Sequence, residues 1–571
     1  MPKITEIIAD MFVQSGLTHI FGLPGGVAPF LFEEFYKRPN EFTTIVTHHE
    51  GAAAVMADMY GRMTGKPGIL IGQGIWMATN GGFGIVESYF AGIPLVIITE
   101  YSDWYGINHH GAYQSGTGEY GTVDLRALYG SYCKYVTEAN SPKELLYAIQ
   151  LAIKHATSGR PGPVAVIAKW NVMLASVDTM SNVEPPLWPL DGYLRVSPPS
   201  ISLNDAENIV EKLIKAKNPV MICGRGTFAS KAEKEVLELV ELLGIPVATS
   251  YGGKGIIPET HDLALGTTGA LSQLLANEKI AEADIIFVVG SALAPDNTMN
   301  CSDEFIDPIR QKIIQIDIEP RNAGWTYPID MGVTSDAKIA LQEIIRIIKE
   351  KKPKIDVQAR IKKLNDRKKD PENNWFHHKM MDDEETPLNP EVVVKIINEV
   401  IRENDKLILG AGNNRMWFTK LFQTKTAGQL IGPFGAAGMG WASSAAMTCS
   451  MIHTEGKTIA VEGDGSLLMC LYNFETMKQY NFDPIIVVIN NGCYGNVRDY
   501  LSSKGRKFCD YERPNLAAIA EAMGLKGICV SEADELRKEL RDALTKDYPI
   551  IIDVEVKPAS HMRIRTKKKI N

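Results

Sequence analysis

The stretch VEGDGSLLMCLYNFETMKQYNFDPIIVVINNGCYG (461–495) contains two apolar runs separated by a helical pattern. The first run ends at Gly463-Asp464-Gly465 and the second at Asn490-Asn491. Because neighbouring parallel strands end at the same edge of a sheet, we expect Asp464 and Asn491 to direct oxygen atoms into one crevice. Mg²⁺ prefers such oxygen ligands, and glycines beside a helix start let backbone amides approach a phosphate. The stretch therefore predicts a site for Mg²⁺ and a phosphate group.

Further apolar runs of the same kind extend along the chain. They are 94–99, 163–168, 219–224, 284–290, 312–318, 457–463 and 484–490. Continuous rather than alternating hydrophobicity is typical of strands buried on both faces, as in parallel sheets. Helical patterns such as 205–217 and 231–243 fall between the runs, as crossover connections require. We predict an α/β protein with doubly wound parallel sheets.

Two polar segments divide the 571 residues into three blocks. Residues 180–202 are rich in Pro and Ser, and residues 351–388 carry dense mixed charge, so both are typical of linkers. The predicted domains are 1–180, 195–350 and 385–571, each a doubly wound parallel-sheet domain.

The composition bounds the location and the partners. The net charge of -8 argues against a nucleic-acid surface, and the basic residues between 563 and 569 suit a solvated end better than a binding patch. The eight cysteines form no C-x-x-C pair, which favours reduced thiols over a zinc site or a disulfide framework. The first residues form an amphipathic pattern with acidic residues, unlike a signal peptide. We expect a cytoplasmic protein with neither a membrane nor a nucleic-acid partner.

The combined motif resembles thiamine diphosphate enzymes, in the branch of acetolactate synthase, pyruvate decarboxylase, oxalyl-CoA decarboxylase and benzaldehyde lyase. This resemblance implies that Mg²⁺ is held by Asp464, Asn491 and the backbone carbonyl of Cys493. The turn GNNRMW (412–417) resembles the family's G-Q-H-Q-M-W, which would put Asn413 and Asn414 against the diphosphate; an ordinary loop is the alternative. The other residues implied to contact the cofactor are Gly25, Gly26, Asn80, Gly463, Gly465, Ser466, Tyr494 and Gly495.

A second motif lies in the first block. Residues 49–62 match the family pattern H-E-x-x-A-x-x-M-A-x-x-Y-x-R, and the resemblance makes Glu50 the carboxylate that bonds the cofactor's pyrimidine ring. The run GPFGAAGMGWASSAA (432–446) resembles the family's G-x-M-G segment. It implies that Met439 wedges the cofactor into its bent form and that the Ala437 carbonyl faces the pyrimidine amine.

The residues expected near the substrate depart from the family. QGIWMATN (73–80) stands where synthases have T-S-G-P-G-A-T-N, so Trp76 either enters the substrate pocket or packs in a loop. Gln114 matches a glutamine that contacts substrate in synthases, and His110, beside His109, resembles the histidine pair of pyruvate decarboxylases. The alignment of 490–501 puts Asn496 and Tyr500 at specificity positions. The expected catalytic residues are Glu50, Gln114, His110 and Met439.

The resemblance does not decide which ligand, if any, the middle block binds. The equivalent domain binds FAD in synthases and ADP in oxalyl-CoA decarboxylases, but SALAPDNT (291–298) replaces the synthase motif R-F-D-D-R. FAD, ADP and a purely structural domain therefore stay as alternatives.

These observations predict an acetolactate-synthase-like enzyme. It would decarboxylate a 2-oxo acid such as pyruvate and join the product to a carbonyl, as a homodimer or homotetramer with active sites at the subunit interface. The alternatives are a lyase for acyl-CoA or hydroxyacyl substrates, a C–C hydrolase for a dicarbonyl, and a non-catalytic thiamine diphosphate-binding regulator. A nicotinamide dehydrogenase is disfavoured because no strand-G-x-G-x-x-G-helix unit with a downstream acid is present.

Overall fold

Three six-stranded sheets organise the chain, and every strand pair within them is parallel. The computed structural model describes residues 2–101, 114–176 and 188–559. α-Helices connect most successive strands, as the continuous apolar runs predict. The predicted α/β class is confirmed.

The first sheet has the strand order β2-β1-β3-β4-β6-β5. Its strands are β1 His19–Gly22, β2 Thr43–Val46, β3 Gly68–Ile71, β4 Leu95–Tyr101, β5 Tyr135–Ala139 and β6 Pro163–Lys169. Its helices are α1 Ile4–Ser15, α2 Ala28–Tyr36, α3 Glu50–Thr64, α4 Gly74–Thr79, α5 Gly82–Ala91, α6 Leu125–Tyr132, α7 Pro142–Thr157 and α8 Trp170–Met173.

The second sheet has the order β12-β11-β10-β7-β8-β9. Its strands are β7 Pro219–Cys223, β8 Val247–Thr249, β9 Ala264–Thr267, β10 Ile285–Val289, β11 Lys312–Asp317 and β12 Met331–Thr334. The helices before and around it are α9 Leu190–Leu194, α10 Leu203–Lys215, α11 Arg225–Ala229, α12 Glu233–Leu243, α13 Leu274–Glu282, α14 Ala337–Lys351 and α15 Val357–Lys368.

The third sheet has the order β14-β13-β15-β16-β18-β17. Its strands are β13 Lys406–Leu409, β14 Leu430–Ile431, β15 Thr458–Gly463, β16 Ile485–Asn490, β17 Lys526–Val530 and β18 Ile550–Glu555. Its helices are α16 Pro390–Val400, α17 Asn413–Leu421, α18 Trp441–Ile452, α19 Asp464–Leu468, α20 Asn473–Tyr480, α21 Gly495–Arg498, α22 Leu516–Ala522 and α23 Ala533–Ala543.

The charged segment 351–388 differs from the plain linker that its composition predicts, because it contains α15. Asp356 caps this helix by accepting the backbone N–H of Ala359 at 2.9 Å. Arg360 donates to the carbonyl oxygens of Leu243 and Ala216, at 2.8 Å and 3.0 Å. The helix therefore docks on the second sheet's layer through arginine–carbonyl bonds and one buried side chain, Leu364. Hydrophobic periodicity cannot predict such a contact.

The hydrophobic core is divided unevenly among the sheets. The first and third sheets contribute to one shared cluster where α3 packs against α18, and the hydroxyl of Thr448 donates to the carbonyl of Met56 at 3.1 Å across this contact. The second sheet has a cluster of its own. Among the described residues, none of the helices has the length and apolar character needed to cross a bilayer. The eight cysteines all lie in the described ranges and form no disulfide there.

Candidate active site

Asp464 and Asn491 lie at the carboxyl ends of two adjacent strands. Gly463 at the end of β15 is paired in register with Ile489 of β16, and Asp464 and Asn491 follow directly. The Asp464 carboxylate accepts the backbone N–H of Gly492 at 2.8 Å, and the Asn491 side-chain oxygen accepts that of Cys493 at 3.1 Å. The parallel register thus brings the expected metal-binding segments together.

The Asp464 carboxylate is almost fully buried, with 2% of the residue exposed. Burial raises its pKa, and the backbone N–H groups of Gly465 and Gly492 offset only part of this effect. A buried carboxylate beside an amide oxygen is a hard-oxygen donor set that a divalent cation would stabilise. The chemistry of these groups fits Mg²⁺.

Closely packed glycines and buried polar atoms adjoin this turn. A Cβ at Gly465 would lie 2.8 Å from both the Tyr494 ring and the Tyr511 hydroxyl, and one at Gly495 would lie 3.0 Å from the Asn413 side-chain nitrogen. The Asn413 and Asn496 side-chain oxygens are buried and have no hydrogen-bond partner among the described residues. Buried polar atoms normally have partners, so these atoms fit a polar ligand such as a diphosphate.

Asn413 and Asn414 begin α17 and are both buried. Asn413 donates to Asp499 at 3.1 Å, and the Asn414 side-chain nitrogen lies 3.0 Å from where a Cβ at Gly463 would be. Both asparagines are thus placed beside the 463–465 turn.

Ser466 ties the same turn to the segment that carries Met439. Its hydroxyl accepts the backbone N–H of Gly440 at 2.7 Å and donates to Glu462 at 2.7 Å. Burial raises the pKa of Glu462, whose other oxygen accepts the N–H of Ser443 at 3.0 Å. The hydroxyl of Ser466 is therefore already hydrogen-bonded within the protein. We expect Ser466 to contact the cofactor through its backbone.

A side chain from the first sheet's layer binds the segment before Met439. The Glu87 carboxylate accepts the backbone N–H groups of Gly435, Ala436 and Ala437 at 3.0, 2.6 and 3.0 Å. Ala437 has a φ of 55°, a left-handed conformation that is strained for a residue with a Cβ. Three hydrogen bonds from backbone N–H groups to the Glu87 carboxylate compensate this strain. They also fix the Ala437 carbonyl, which is expected to face the cofactor.

Arg62 completes this anchor. It bonds Glu87 at 2.6 Å and Asp58 at 2.7 Å, and all three side chains are buried. Burial would raise the pKa of Glu87, but Arg62 and the three backbone amides outweigh it and hold the pKa below its ordinary value. Sequence reasoning missed Glu87, whose sole signal was an acidic residue inside the apolar helix GFGIVESYFA.

Glu50 begins α3 and is buried. The side chain of Asn80 donates to it at 3.0 Å, so two predicted cofactor contacts lie together. His49 caps the helix, and its ring stacks on Tyr472 at 4.7 Å between centroids. Among the described residues of one chain, no hydrogen bond joins the Glu50–Asn80 pair to the Asp464–Asn491 pair.

Gln114 lies beside the loop that contains Gly25 and Gly26. Its side-chain oxygen accepts a hydrogen bond from Gln73, which also lies against Gly25. Gln73, which stands at the threonine of the synthase motif T-S-G-P-G-A-T-N, was not among the predicted site residues. The predicted role of His110 falls outside the described residues.

The remaining predicted pocket residues are more open. Residues 74–79 form α4 rather than a loop, and Trp76 on this helix is 42% exposed. Asn496 lies on α21, and Tyr500, which follows this helix, is 63% exposed. The exposed rings of Trp76 and Tyr500 can contact a substrate or a second protein surface.

Comparison with known proteins shows the family to which the chain belongs. Three models of thiamine pyrophosphate enzymes match the chain: the N-terminal TPP binding domain at 2–118, the central domain at 206–344 and the C-terminal TPP binding domain at 410–554. The chain belongs to the thiamine pyrophosphate enzymes. Thiamine pyrophosphate is another name for thiamine diphosphate, so the predicted family is confirmed.

Relatives of this thiamine pyrophosphate enzyme include acetolactate synthase large subunits. The protein named "Probable acetolactate synthase large subunit" from Methanocaldococcus jannaschii is 28% identical over 98% of this chain and 92% of its own length. The acetolactate synthase large subunit of Haemophilus influenzae is 26% identical over 97% of this chain and 95% of its own length. The similarity spans the whole chain and makes it an acetolactate-synthase-like enzyme.

The central part of this thiamine pyrophosphate enzyme contains a cavity of about 910 Å³. Residues at the carboxyl ends of β7, β10 and β11 line it, among them Arg225, Ser291 and Asp317. Arg160 and Arg415 reach it from the other two sheets' layers. Open α/β sheets commonly bind ligands at this edge. FAD, ADP and a purely structural role of the central domain all stay predictions.

Proposed function

We propose that this chain is a thiamine diphosphate- and Mg²⁺-dependent enzyme that decarboxylates a 2-oxo acid and joins the product to a second carbonyl compound. One observation carries the proposal: parallel register brings buried Asp464 beside Asn491. The buried side-chain oxygens of Asn413 and Asn496 nearby have no hydrogen-bond partner among the residues that the structure describes. Asp464, Asn491 and the carbonyl of Cys493 would hold the metal, and Asn413 and Asn414 would contact the diphosphate. When bound, thiamine diphosphate supplies a carbanion and an electron sink.

The other residues would position and activate the cofactor. Glu50 is a buried carboxylate, and a charge-assisted hydrogen bond that it accepts from the pyrimidine ring would be stronger there than in water. Asn80 orients this carboxylate by donating to it. Ala437 and Met439, fixed through Glu87 and Ser466, would support the opposite side of the ring.

We propose that the two halves of the site come from two copies of the chain, in a homodimer or homotetramer. The Glu50–Asn80 pair belongs to the first sheet and the Asp464–Asn491 pair to the third. Large apolar side chains near the two predicted halves are exposed in the single chain, which supports burial against a second copy. They are Trp76, Leu468, Met469, Tyr494, Val497 and Tyr500.

Mixing two inactive variants tests this arrangement. Glu50→Gln and Asp464→Asn proteins are unfolded together, refolded as a mixture and assayed. If sites form between copies, half of the dimers are mixed and each has one intact site, so about a quarter of parental activity returns. No recovery, with parental protein refolding fully under the same conditions, would place both halves in one chain.

The substrate is proposed to be a 2-oxo acid such as pyruvate, with support from the synthase relatives. We expect CO₂ release from pyruvate when Mg²⁺ and thiamine diphosphate are both present, and none from Asp464→Asn. Turnover of acyl-CoA or dicarbonyl substrates without any 2-oxo acid decarboxylation would instead identify a lyase or hydrolase. We place the protein in the cytoplasm, in agreement with its eight unpaired cysteines.

A further inference from the structure

Residues 509–511 lie against the segment 491–493, which is proposed to bind the metal together with Asp464. The two segments form a short antiparallel bridge. Within it, the backbone N–H of Tyr511 donates to the Gly492 carbonyl at 2.9 Å. These backbone contacts fix the position of Tyr511 relative to the proposed metal site.

Two side-chain contacts hold the same loop closed. The Arg498 guanidinium on α21 donates to the Asp510 carboxylate at 2.6 Å. The ring of Tyr511 packs edge-on against the ring of Tyr494, with 5.2 Å between the centroids and an angle of 61° between the planes. Backbone bonds and ring packing together therefore set the direction of the Tyr511 side chain.

The hydroxyl of Tyr511 points at the turn that begins α19. A Cβ at Gly465 would lie 2.8 Å from this hydroxyl. Burial and the adjacent Asp464 carboxylate raise the pKa of Tyr511, so the phenol lies next to the proposed metal ligand. The hydroxyl is buried and, among the residues that the structure describes, completes no hydrogen bond of normal geometry. Since buried polar atoms normally have partners, this donor is available to a group at the turn.

The Asp464 carboxylate can accept this donor. Its Oδ2 accepts the backbone N–H of Gly492 at 2.8 Å, and an ionised carboxylate has about four acceptor positions. It can therefore bind a cation and accept a further hydrogen bond at once. Gly492 also accepts the N–H of Tyr511, so one residue sets the spacing between carboxylate and phenol.

We propose that Tyr511 is a positioning residue of the metal site, whose hydroxyl donates to the Asp464 carboxylate and orients it toward the cation. The inference rests on the proposed dependence on Mg²⁺ and thiamine diphosphate. Metal-binding carboxylates are commonly oriented by such hydrogen bonds, and loss of the partner typically weakens metal binding by about 10- to 100-fold.

The choice of metal distinguishes this role from a merely structural one. Mg²⁺ demands a near-ideal octahedron of oxygen ligands, whereas Ca²⁺ accepts irregular coordination at longer distances. A carboxylate held in one orientation therefore matters more for Mg²⁺ than for Ca²⁺. General damage to the site would weaken the binding of both ions alike.

Calorimetric titration of MgCl₂ or CaCl₂ into the protein with excess thiamine diphosphate tests the inference. In Tyr511→Phe, which keeps the ring and its packing, we expect the Kd for Mg²⁺ to rise about tenfold or more and the Kd for Ca²⁺ about threefold at most. The matched control is Tyr548→Phe. It removes the hydroxyl of an exposed tyrosine before β18, at the opposite edge of the third sheet, and should keep both parental values.

Parental Mg²⁺ affinity in Tyr511→Phe would overturn the inference, and so would equal losses for the two ions. Circular dichroism and urea unfolding show whether the variant is folded like the parent. Failure of the proposed function has a different signature, because the parent itself would then show no Mg²⁺-dependent binding of thiamine diphosphate.

Discussion

The carboxylate of Glu87 on α5 accepts the backbone N–H of Ala437 at 3.0 Å, which joins a helix of the first sheet to the loop before α18 of the third. Ala437 is held in a left-handed conformation at this point. The same carboxylate bonds the two preceding amides and Arg62. One buried acid therefore sets the shape of the segment that is proposed to support the cofactor.

We predict that Glu87→Gln lowers both stability and cofactor affinity. A neutral amide loses the ion pair with Arg62 and can accept through one oxygen only, so the free energy of unfolding should fall by about 2 kcal/mol. Thiamine diphosphate should bind about tenfold more weakly because the 435–437 segment loses its anchor. Urea unfolding and calorimetric titration measure the two effects.

The matched control is Glu33→Gln, which removes an exposed carboxylate of α2 that pairs with Lys37. Surface pairs contribute little, so this variant should stay within about 0.5 kcal/mol of the parent. Equal behaviour of the two variants would show that Glu87 has no special role.

Asp464→Asn should abolish Mg²⁺-dependent cofactor binding. The substitution keeps the shape but removes the negative charge that a divalent cation needs, so we expect affinity for thiamine diphosphate with Mg²⁺ to fall at least about 100-fold. Calorimetry with and without MgCl₂ measures this. Asp547→Asn, at an exposed carboxylate, is the control, and parental Mg²⁺ dependence in Asp464→Asn would refute the metal assignment.

Glu50→Gln should separate binding from catalysis. The amide preserves most packing at the start of α3 and the contact with Asn80, so cofactor affinity should change only a few-fold. The rate of CO₂ release should fall about 100-fold or more, because a positioned acid-base group contributes at least that much. A variant as active as the parent would favour the non-catalytic regulator instead.

Lys368 should make stability depend on pH. Burial lowers its pKa to about 8, although its ammonium donates to the carbonyls of His261 and Asp262 and lies over Trp375. The unfolded chain, with a lysine pKa near its ordinary 10.5, binds more protons between pH 8 and that value. Stability contributed by this group therefore rises with pH across this window.

The variant Lys368→Met tests this sign. Urea unfolding at pH 7 and pH 9.5 should show a rise for the parent that is about 2 kcal/mol larger than the rise for the variant. Identical pH dependence in the two proteins would show that Lys368 stays protonated throughout.

The sheets could be predicted because their strands are continuous apolar runs bounded by turns. The runs 457–463 and 484–490 correspond to β15 and β16, and parallel pairing alone placed Asp464 beside Asn491. Residues that act within one βα turn were therefore accessible to sequence reasoning.

Contacts between segments that are distant in the chain could not be predicted from the sequence. Glu87 and Ala437 are 350 positions apart, and no local pattern marks an acid that will bond remote amides. Arg415 could be seen as a departure from its motif, but its direction into the central cavity depends on how α17 packs. The α15 helix was missed because its docking uses polar bonds and a single buried residue, Leu364.

The continuous core beneath α3 and α18 has a consequence for how the molecule unfolds. Unfolding of the first sheet's layer would expose the apolar side chains of the third sheet's layer, and the reverse also holds. The first and third sheets should therefore unfold as one cooperative unit, and the second sheet, which has a core of its own, should unfold as another. A calorimetric trace would then show two transitions for a chain with three sheets. Removal of the first or the third block would expose the shared core on the other and make it prone to aggregate.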